Sequence, residues 1–572
     1  MTLSNAEVAG ALELLADLLE IESANPFRVR AYRNAARTVV ELPDSLAAML
    51  DSGQDLARLP GIGEDLASKL TELVRTERLP LLEEIKARTP AGLVGLLRIP
   101  GLGPKRVHLL HDALGIGSPE DLAAALAEGR LHGLHGFGPK TEQHLREELQ
   151  RRGSAERRLT LLEAEGAALP LIAQLETMPG VDQVEVAGSY RRRRETVGDL
   201  DLVAAASEGK AVIERFVALP QVAKVVAQGK TRATVRLRTG VQVDLRAVEN
   251  ASYGAALLYF TGSKAHNIAL RAIAARRGWK LNEYGLFAGR RRIAAKTERD
   301  IYKALGLAFV PPELREDRGE IASAAGNAIP ELIEPEMLKG DLHVHSDWSD
   351  GRTPIAEMAH AARALGLEYL AICDHSKRVT IAHGLNEKQL LKQIEEIDRL
   401  NNRLSGFTVL KSTEVDILAD GRLDLPDRVL ARLDLTVCSI HSAFNLSQEE
   451  QTRRILNAMD NPHFKILGHP SGRLINQRQG YALDYERVLE GARERSVVLE
   501  VNAQPDRLDL DDVHCRMAVE LGVKLAISTD AHRPAELAWL RFGVGQARRG
   551  WVSPDLVINT RAIKELRKLL RR

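Results

Sequence analysis

The 572-residue sequence predicts a multidomain α/β protein, with helical N-terminal domains, a mixed α+β middle and a C-terminal parallel β/α module. Three observations predict it. Apolar residues recur at three- to four-residue spacing through residues 1–150, the period of packed helices. From about residue 181, short β-branched runs take over (VDQVEVAGSY, LDLVAAA, TRATVRLRT, VQVDLRAV), the pattern of a sheet. Beyond residue 337, apolar strands (LAICDHS, TVCSIHS, KILGHP, VVLEVNA, KLAISTDAH) alternate with helical stretches, as in a parallel α/β barrel or layer.

Length and charge bound the rest. The chain is too long for one core and suits about three to five domains. Residues 1–150 carry 16 basic against 22 acidic side chains, residues 151–320 carry 29 against 20, and residues 321–572 carry 34 against 36. A basic middle between acidic neighbours suits a gripped polyanion, although a basic face is also ordinary solvated surface. The three cysteines (Cys373, Cys438, Cys515) are far apart, which argues against a thiolate zinc site or a disulfide framework and fits a reducing cytosol. The N-terminus lacks the basic start and apolar run of a secretion signal, and no stretch reaches roughly 18 consecutive apolar residues, so no membrane contact is expected. The expected location is cytoplasmic and nucleoid-associated.

In the helical region one unit recurs three times: LPGIGEDLASKL (59–70), IPGLGPKRVHLL (99–110) and LHGFGPKTEQHL (134–145). Each places an apolar-x-Gly-x-Gly turn (Gly61/Gly63, Gly101/Gly103, Gly136/Gly138) before a helix. Glycine tolerates positive φ and a close phosphate, and the free N–H groups of the helix start face the anion. Lys105 adds a cation behind the second turn. His135 replaces the Pro60 and Pro100 of the other copies, so the third is the most structural of the three. The unit resembles the helix-hairpin-helix element, which implies sequence-independent contact with DNA backbone.

In the middle, GSYRRRRETVGDLDLV puts Gly188 and Ser189 at a helix start, with Asp199 and Asp201 two apart on a strand. That spacing points both carboxylates to one face, where they can share hard divalent cations. Asp244, in VQVDLRAV, lies on a later strand within reach of the same face. Phosphoryl transfer from a nucleoside triphosphate uses two cations so held. Gly188, Ser189 and Gly198 leave room and donors for phosphates, and Arg192 offers a forked cation.

These motifs, with YFTGSKAHNIALR (259–271), resemble family X DNA polymerases from about residue 10 to 318. The resemblance implies Asp199, Asp201 and Asp244 as carboxylates for Mg²⁺ or Mn²⁺, with Asp244 also the general-base candidate. It implies a nucleotide site in which Tyr259 and Phe260 pack on the sugar next to Gly262. Asn267 reaches the base edge and Arg271 senses the template side. Lys264 stands where an acidic residue is usual, and Gln242 where an Arg helps position the metals. Lys69 occupies the position of a Schiff-base lysine that removes 5′-deoxyribose phosphate. Tyr32 is kept, but Asp65 and Arg28 replace the flanking lysines, so a lyase and a DNA-contacting lysine both stay open.

The C-terminal region holds the densest cluster of ligand types. His343 and His345 end one strand and Asp350 follows in its loop. His375, Glu414, His441 and His469 end later strands, as do Asp530 and His532. Six histidines and three carboxylates at strand ends converge where β/α barrels place active sites, and they suffice for three metals such as Zn, Mn or Fe. The set resembles the PHP (polymerase and histidinol phosphatase) domain over residues 338–572. The resemblance implies a distorted seven-stranded β/α barrel, a trinuclear site and a 3′–5′ exonuclease. It leaves abasic-site cleavage and removal of 3′-phosphates open.

The resulting expectation is a DNA-repair polymerase that fills short gaps, coupled to a metal-dependent exonuclease. It binds gapped or 3′-recessed duplex and deoxynucleoside triphosphates as a monomer. The expected domains are a lyase-like helical domain (1–80), fingers (81–152), palm (153–255), thumb (256–318), a Pro/Glu/Ala-rich linker (319–337) and the PHP module (338–572). Few contacts are expected to cross that linker, so the polymerase part is expected to stand alone. Two other readings are a DNA-end-binding scaffold that delivers a nuclease, and a small-molecule phosphatase fused to a transferase.

Overall fold

The structure, a computed structural model, describes residues 5–22, 24–42, 46–51, 53–59, 61–76, 78–89, 93–97, 99, 102–134, 136–138, 141–143, 145–146, 149 and 158–570. Two compact units divide the chain, Met1–Arg157 and Arg158–Arg572. No helix among the described residues is long and apolar enough to cross a membrane.

The first unit is helical. Helix Pro26–Glu41 starts where Pro26 needs no N–H partner and the Asn25 side chain accepts from the Phe27 N–H. Helix Glu64–Thr76 buries Leu66, Ala67, Leu70, Leu73 and Val74, the stripe its sequence period predicts. These residues share one core with Leu12, Leu15, Tyr32, Val107 and Leu110. All three repeats close the same turn. The N–H groups of Ile62, Leu102 and Phe137 donate to the carbonyls of Leu59, Ile99 and Leu134 at 2.9–3.1 Å.

The second unit begins with a five-stranded sheet of β1 (Val181–Val186), β2 (Leu200–Ala206), β3 (Val222–Gln228), β4 (Arg232–Leu237) and β5 (Gln242–Val248). Its order is β1-β2-β5-β4-β3, and only β2 and β5 run parallel. Alternate residues of β2 and β5 (Leu202, Ala204; Val243, Leu245) face one core with Val212, Ile213 and Phe216. Helices Tyr253–Thr261 and Lys264–Arg276 follow, with a three-stranded meander over 279–294.

The C-terminal strands are β6 (Gly340–Val344), β7 (Tyr369–Ile372), β8 (Thr408–Lys411), β9 (Glu414–Asp416), β10 (Val437–Ser439), β11 (Ile466–Leu467), β12 (Val498–Asn502) and β13 (Leu525–Ser528). They form two parallel sheets, β6-β7-β8 and β9 to β13 in chain order. Isolated bridges join the sheets at His375↔Glu414 and Val344↔Ala531. Leu342, Tyr369, Ala371, Leu410, Val437, Ile466, Val498 and Ala526 gather in one cluster, closed at one end by Leu566 and Leu570. Their strand neighbours Val344, Leu370, Ile372, Val409, Cys438, Leu467, Leu499 and Leu525 pack outward against helices. Both faces of the strands are therefore buried, which is why they read as continuous apolar runs.

Residues 319–337 correct the expectation of a sparsely packed linker. They contain helix Glu320–Ala325, and Glu320, Ala324, Leu332 and Ile333 are buried. Glu320 meets the buried His266 ring at 2.6 Å, and the Ile333 N–H donates to the Val552 carbonyl. The Pro/Glu/Ala composition looks solvated, but its few apolar residues anchor into both neighbours, Glu320 meets His266 and Glu334 pairs with Arg548. The modules also pack directly. Ile475, Leu508 and Phe542 complete the palm core and Trp551 joins the thumb core. Arg541–Glu165, Arg548–Glu313 and Arg473–Glu195 pair across the junction.

A fragment ending at residue 318 is therefore expected to be poorly soluble and to extend primers weakly. Burial of each large apolar side chain is worth about 1.5–3 kcal/mol, and at least four are lost from the palm and thumb cores. Solubility and thermal unfolding of the fragment test this. A soluble, fully active fragment would restore the self-sufficient polymerase.

Candidate active sites

In the palm, the parallel pairing of β2 and β5 sets Asp201 directly opposite Asp244. Asp199 lies in the bend just before β2 rather than on the strand, and the three carboxylates still interact. Gly188 opens helix Gly188–Arg191 with φ +59°, and a Cβ there would lie 2.2 Å from Asp201 Oδ2. Only glycine lets that helix start come so near the carboxylate. The Thr234 hydroxyl donates to Asp244, as does Gln242 Nε2 at 3.0 Å. Gln242 thus orients Asp244 as a neutral donor. A Cβ on Gly198 would meet Arg158 Nη1 at 2.9 Å, and Ser189 is half-buried at the helix start.

Burial pushes the Asp201 carboxyl up to about 7, reinforced by Asp199 and Asp244 and opposed by Arg246 and Arg192. Burial and the Asp244 charge likewise raise Asp199. Three converging carboxylates without a cation repel one another, and a divalent cation removes the repulsion.

Asp201→Asn should therefore raise stability in chelator while abolishing nucleotide addition. The folded value lies above the unfolded one, so the penalty is absent below about pH 4, grows as pH rises and is complete above about 7. One pKa unit corresponds to about 1.4 kcal/mol, so the gain above pH 7 is of the order of a few kcal/mol. Unfolding curves at pH 5 and pH 8 in chelator check this, and an equal gain at both would contradict it.

The predicted nucleotide segment gathers around the same edge. Gly262 takes φ +70° between the two helices, and Ser263 caps the second by accepting from the His266 N–H. Arg192 Nη1 donates to the Thr261 carbonyl, and Arg192 Nε pairs with Glu316 at 3.1 Å. Tyr259 and Phe260 meet edge to face at 5.1 Å, with the Arg246 guanidinium 5.0 Å over the Phe260 ring. Asn267 Nδ2 donates to the Tyr259 carbonyl at 2.7 Å, and Arg271 is exposed one turn further along the helix.

All nine predicted ligands of the C-terminal module lie at strand ends or just beyond and come together. Ligand atoms of His345, Asp350, His375 and His532 lie within 4.8 Å of one another, as do those of His343, His345 and Asp530, and those of His375, Glu414 and His441. His469 joins through its Nε2, 2.8 Å from Glu414 Oε1. The Nε2 atoms of His343 and His345 face each other at 3.2 Å. Nδ1 of His345 and of His469 are buried with no hydrogen-bond partner. Crowded imidazole nitrogens amid carboxylates are a donor set suited to divalent metals.

Sequence reasoning missed the residues behind the ligands. Glu500 Oε1 lies 2.7 Å from His343 Nδ1, and its other oxygen accepts from the His469 N–H. Asp416 accepts from the His441 N–H, and Asp341 from the N–H groups of His343 and Thr529. Such partners fix ring orientation and ligand basicity. The available signal was a lone acid inside an otherwise apolar strand: Glu500 in VVLEVNA and Asp341 in DLHV.

In the first unit the second glycine of each turn faces open space. A Cβ on Gly63, Gly103 or Gly138 would meet nothing within 4 Å. Internal packing therefore gives no reason for glycine at these three positions. Gly61 and Gly136 take φ +78° and +88°. Gly101 and the Lys105 side chain lie outside the described residues. Lys69 is ion-paired with Asp65. Burial lowers its pKa, but Asp65 and Tyr32 more than offset this and hold it above the ordinary lysine value. A Schiff-base lysine needs the opposite shift.

Residues 256–316 match the DNA polymerase beta thumb, residues 3–79 a helix-hairpin-helix domain, residues 94–151 a SAM-like helix-hairpin-helix tandem, and residues 341–504 the PHP domain. Fold and sites thus define a polymerase-type nucleotidyltransferase joined to a PHP module. Over 571 residues, 99% of each chain, the protein is 38% identical to the DNA polymerase/3′-5′ exonuclease PolX of Bacillus subtilis (strain 168). The chain belongs to this PolX family of DNA polymerases with 3′–5′ exonuclease. Its C-terminal part is also 31% identical over 231 residues to a probable phosphatase of Thermoanaerobacter sp. (strain X514), covering 38% of this chain and 89% of that one. A probable phosphatase of Syntrophotalea carbinolica is 28% identical over 230 residues, 38% of this chain and 90% of its own.

Proposed function

We propose that this chain fills short gaps in DNA at the palm carboxylates and trims 3′ ends hydrolytically at the PHP cluster. The observation that carries the proposal is the presence of two complete, separate ligand sets on one chain that also bears three helix-hairpin-helix turns. In the palm, Asp199, Asp201 and Asp244 would hold Mg²⁺ or Mn²⁺. The cations supply charge neutralisation for the triphosphate and a more acidic 3′-hydroxyl. Asp244, oriented by Thr234 and Gln242, is placed to take that hydroxyl's proton. Gly188 and Ser189 offer backbone donors to the phosphates, Arg192 a guanidinium, and Phe260 a flat apolar face for the sugar. The partners read here are gapped or recessed duplex and deoxynucleoside triphosphates, bound by a monomer in the nucleoid.

In the PHP module, the nine ligands would hold up to three ions of the Zn, Mn or Fe type. Glu500 fixes the His343 ring, and Asp416 the position of His441, so the imidazoles are held facing the substrate. Resemblance to probable phosphatases supports a second reaction at this cluster, removal of 3′-phosphates, and abasic-site cleavage is a third that the same hydrolysis would serve. Primer extension and degradation on one gapped duplex, with Mg²⁺ or Mn²⁺ and with or without nucleotides, test the proposal. Extension with nucleotides and shortening without them are expected. Turnover of histidinol phosphate in place of both would favour a small-molecule phosphatase.

A further inference from the structure

One of the ion pairs between the PHP module and the thumb is made by Arg549, the last residue of helix Leu540–Arg549, whose side chain is only 2% exposed. Its Nη1 donates to the backbone carbonyl of Arg192 at 2.8 Å and to Glu316 Oε1 at 2.9 Å. Its Nη2 donates to Asp512 Oδ2 at 2.6 Å. Glu316 Oε1 is the same oxygen that accepts from Arg192 Nε. One buried guanidinium of the PHP module therefore holds both the main chain of Arg192 and the carboxylate that orients its side chain.

The helix carrying Arg549 has little freedom to move. Phe542 belongs to the palm core, and Trp551, two residues past Arg549, belongs to the thumb core. A Cβ on Gly545 would meet the Arg193 side chain at 3.2 Å, so glycine allows the helix to press against the loop that carries Arg192. Arg548 pairs with Glu313 at 2.8 Å and donates to the Ile333 carbonyl at 3.0 Å. The Arg192 guanidinium in turn spends Nε on Glu316 and Nη1 on the Thr261 carbonyl, beside Gly262. Among the described residues its Nη2 makes no bond, which leaves a fixed donor at the loop where the triphosphate is read to lie.

We propose that Arg549, a residue of the nuclease module, is a positioning residue for nucleotide incorporation. Through Glu316 and the Arg192 carbonyl it fixes the guanidinium that grips the incoming triphosphate, so the polymerase site is complete only with the PHP module docked. The proposal rests on the reading of Arg192 as a phosphate ligand. A guanidinium held at both its main chain and its side chain loses little freedom on binding, whereas a released one must be ordered by the nucleotide. The cost should fall on nucleotide affinity more than on the chemical step.

The test is steady-state incorporation into gapped DNA by full-length Arg549→Met, Arg549→Lys, Glu316→Gln and Arg192→Ala, with exonuclease rate and thermal unfolding measured on each preparation. Arg549→Met should raise the KM for the nucleotide about tenfold. Its kcat should stay within about threefold of wild type, and its exonuclease rate on a recessed duplex should be unchanged. Arg549→Lys, which keeps the charge but not the fork, should recover part of the loss. Glu316→Gln should reproduce the KM effect even where Arg549→Met proves poorly folded, because it removes the shared carboxylate charge and keeps the shape. Wild-type KM in both Arg549→Met and Glu316→Gln, with Arg192→Ala impaired, would overturn the proposal. Equal loss of incorporation and exonuclease in Arg549→Met would also overturn it, by reducing Arg549 to a structural residue. Wild-type incorporation by Arg192→Ala would instead remove the reading of Arg192 on which the proposal stands.

Discussion

Replacing Asp199 and Asp201 together by Ala is expected to abolish nucleotide addition and leave 3′–5′ degradation close to wild type. Asp201 sits opposite Asp244 on the parallel pair β2 and β5, and Asp199 precedes it at the same edge. With two of three carboxylates gone, Asp244 alone cannot hold two cations, and losing about 4 kcal/mol of transition-state stabilisation already costs a thousandfold in rate. None of the nine PHP ligands belongs to this strand pair, so their geometry should persist. The protein should also stay folded, because the substitutions relieve repulsion among converging carboxylates. Single-nucleotide incorporation and degradation of a labelled recessed duplex measure the two effects.

Replacing His343 and His345 together by Ala should do the reverse. The two residues come from one strand end with their Nε2 atoms 3.2 Å apart, and His345 belongs to two of the three ligand groups. Their loss should lower bound metal and reduce exonuclease activity on the order of a thousandfold. Primer extension should survive and yield longer products. Excess Mn²⁺ should rescue single changes at the oxygen ligands Glu414 or Asp530 in part, since Mn²⁺ accepts water in place of a lost carboxylate, but not the double histidine change. Metal counting on the same preparation separates lost metal from lost fold. Full degradation despite lost metal would place the nuclease elsewhere.

The candidate ligands were legible in the sequence because their residue types and spacing are local. Histidines and acids at the ends of apolar strands announce themselves by type and spacing, and the three Gly-x-Gly turns by repetition. The supporting residues were harder to read because their role depends on pairing across the fold. Glu500 is one acid in a buried strand, and only the adjacency of β12 to β11 brings it to His469 as well as His343. Residues 319–337 misled for a related reason. Composition reports solvation averaged over a segment, while Leu332, Ile333 and Ala324 are single anchors whose partners lie far along the chain. The junction residues Phe542, Arg549 and Trp551 sit in a helix and loop that read as ordinary PHP sequence. Nothing local marks them as parts of the palm and thumb.

The proposed function assigns two independent reactions to two separate metal-ligand sets on one chain. The most direct test is a crossover on a single gapped duplex, with extension and degradation rates measured for the wild type and both double variants, each shown to unfold at its expected temperature. Complementary losses are expected. Asp199→Ala with Asp201→Ala should lose extension alone, and His343→Ala with His345→Ala should lose degradation alone. Parallel loss of both reactions in either folded variant would contradict it.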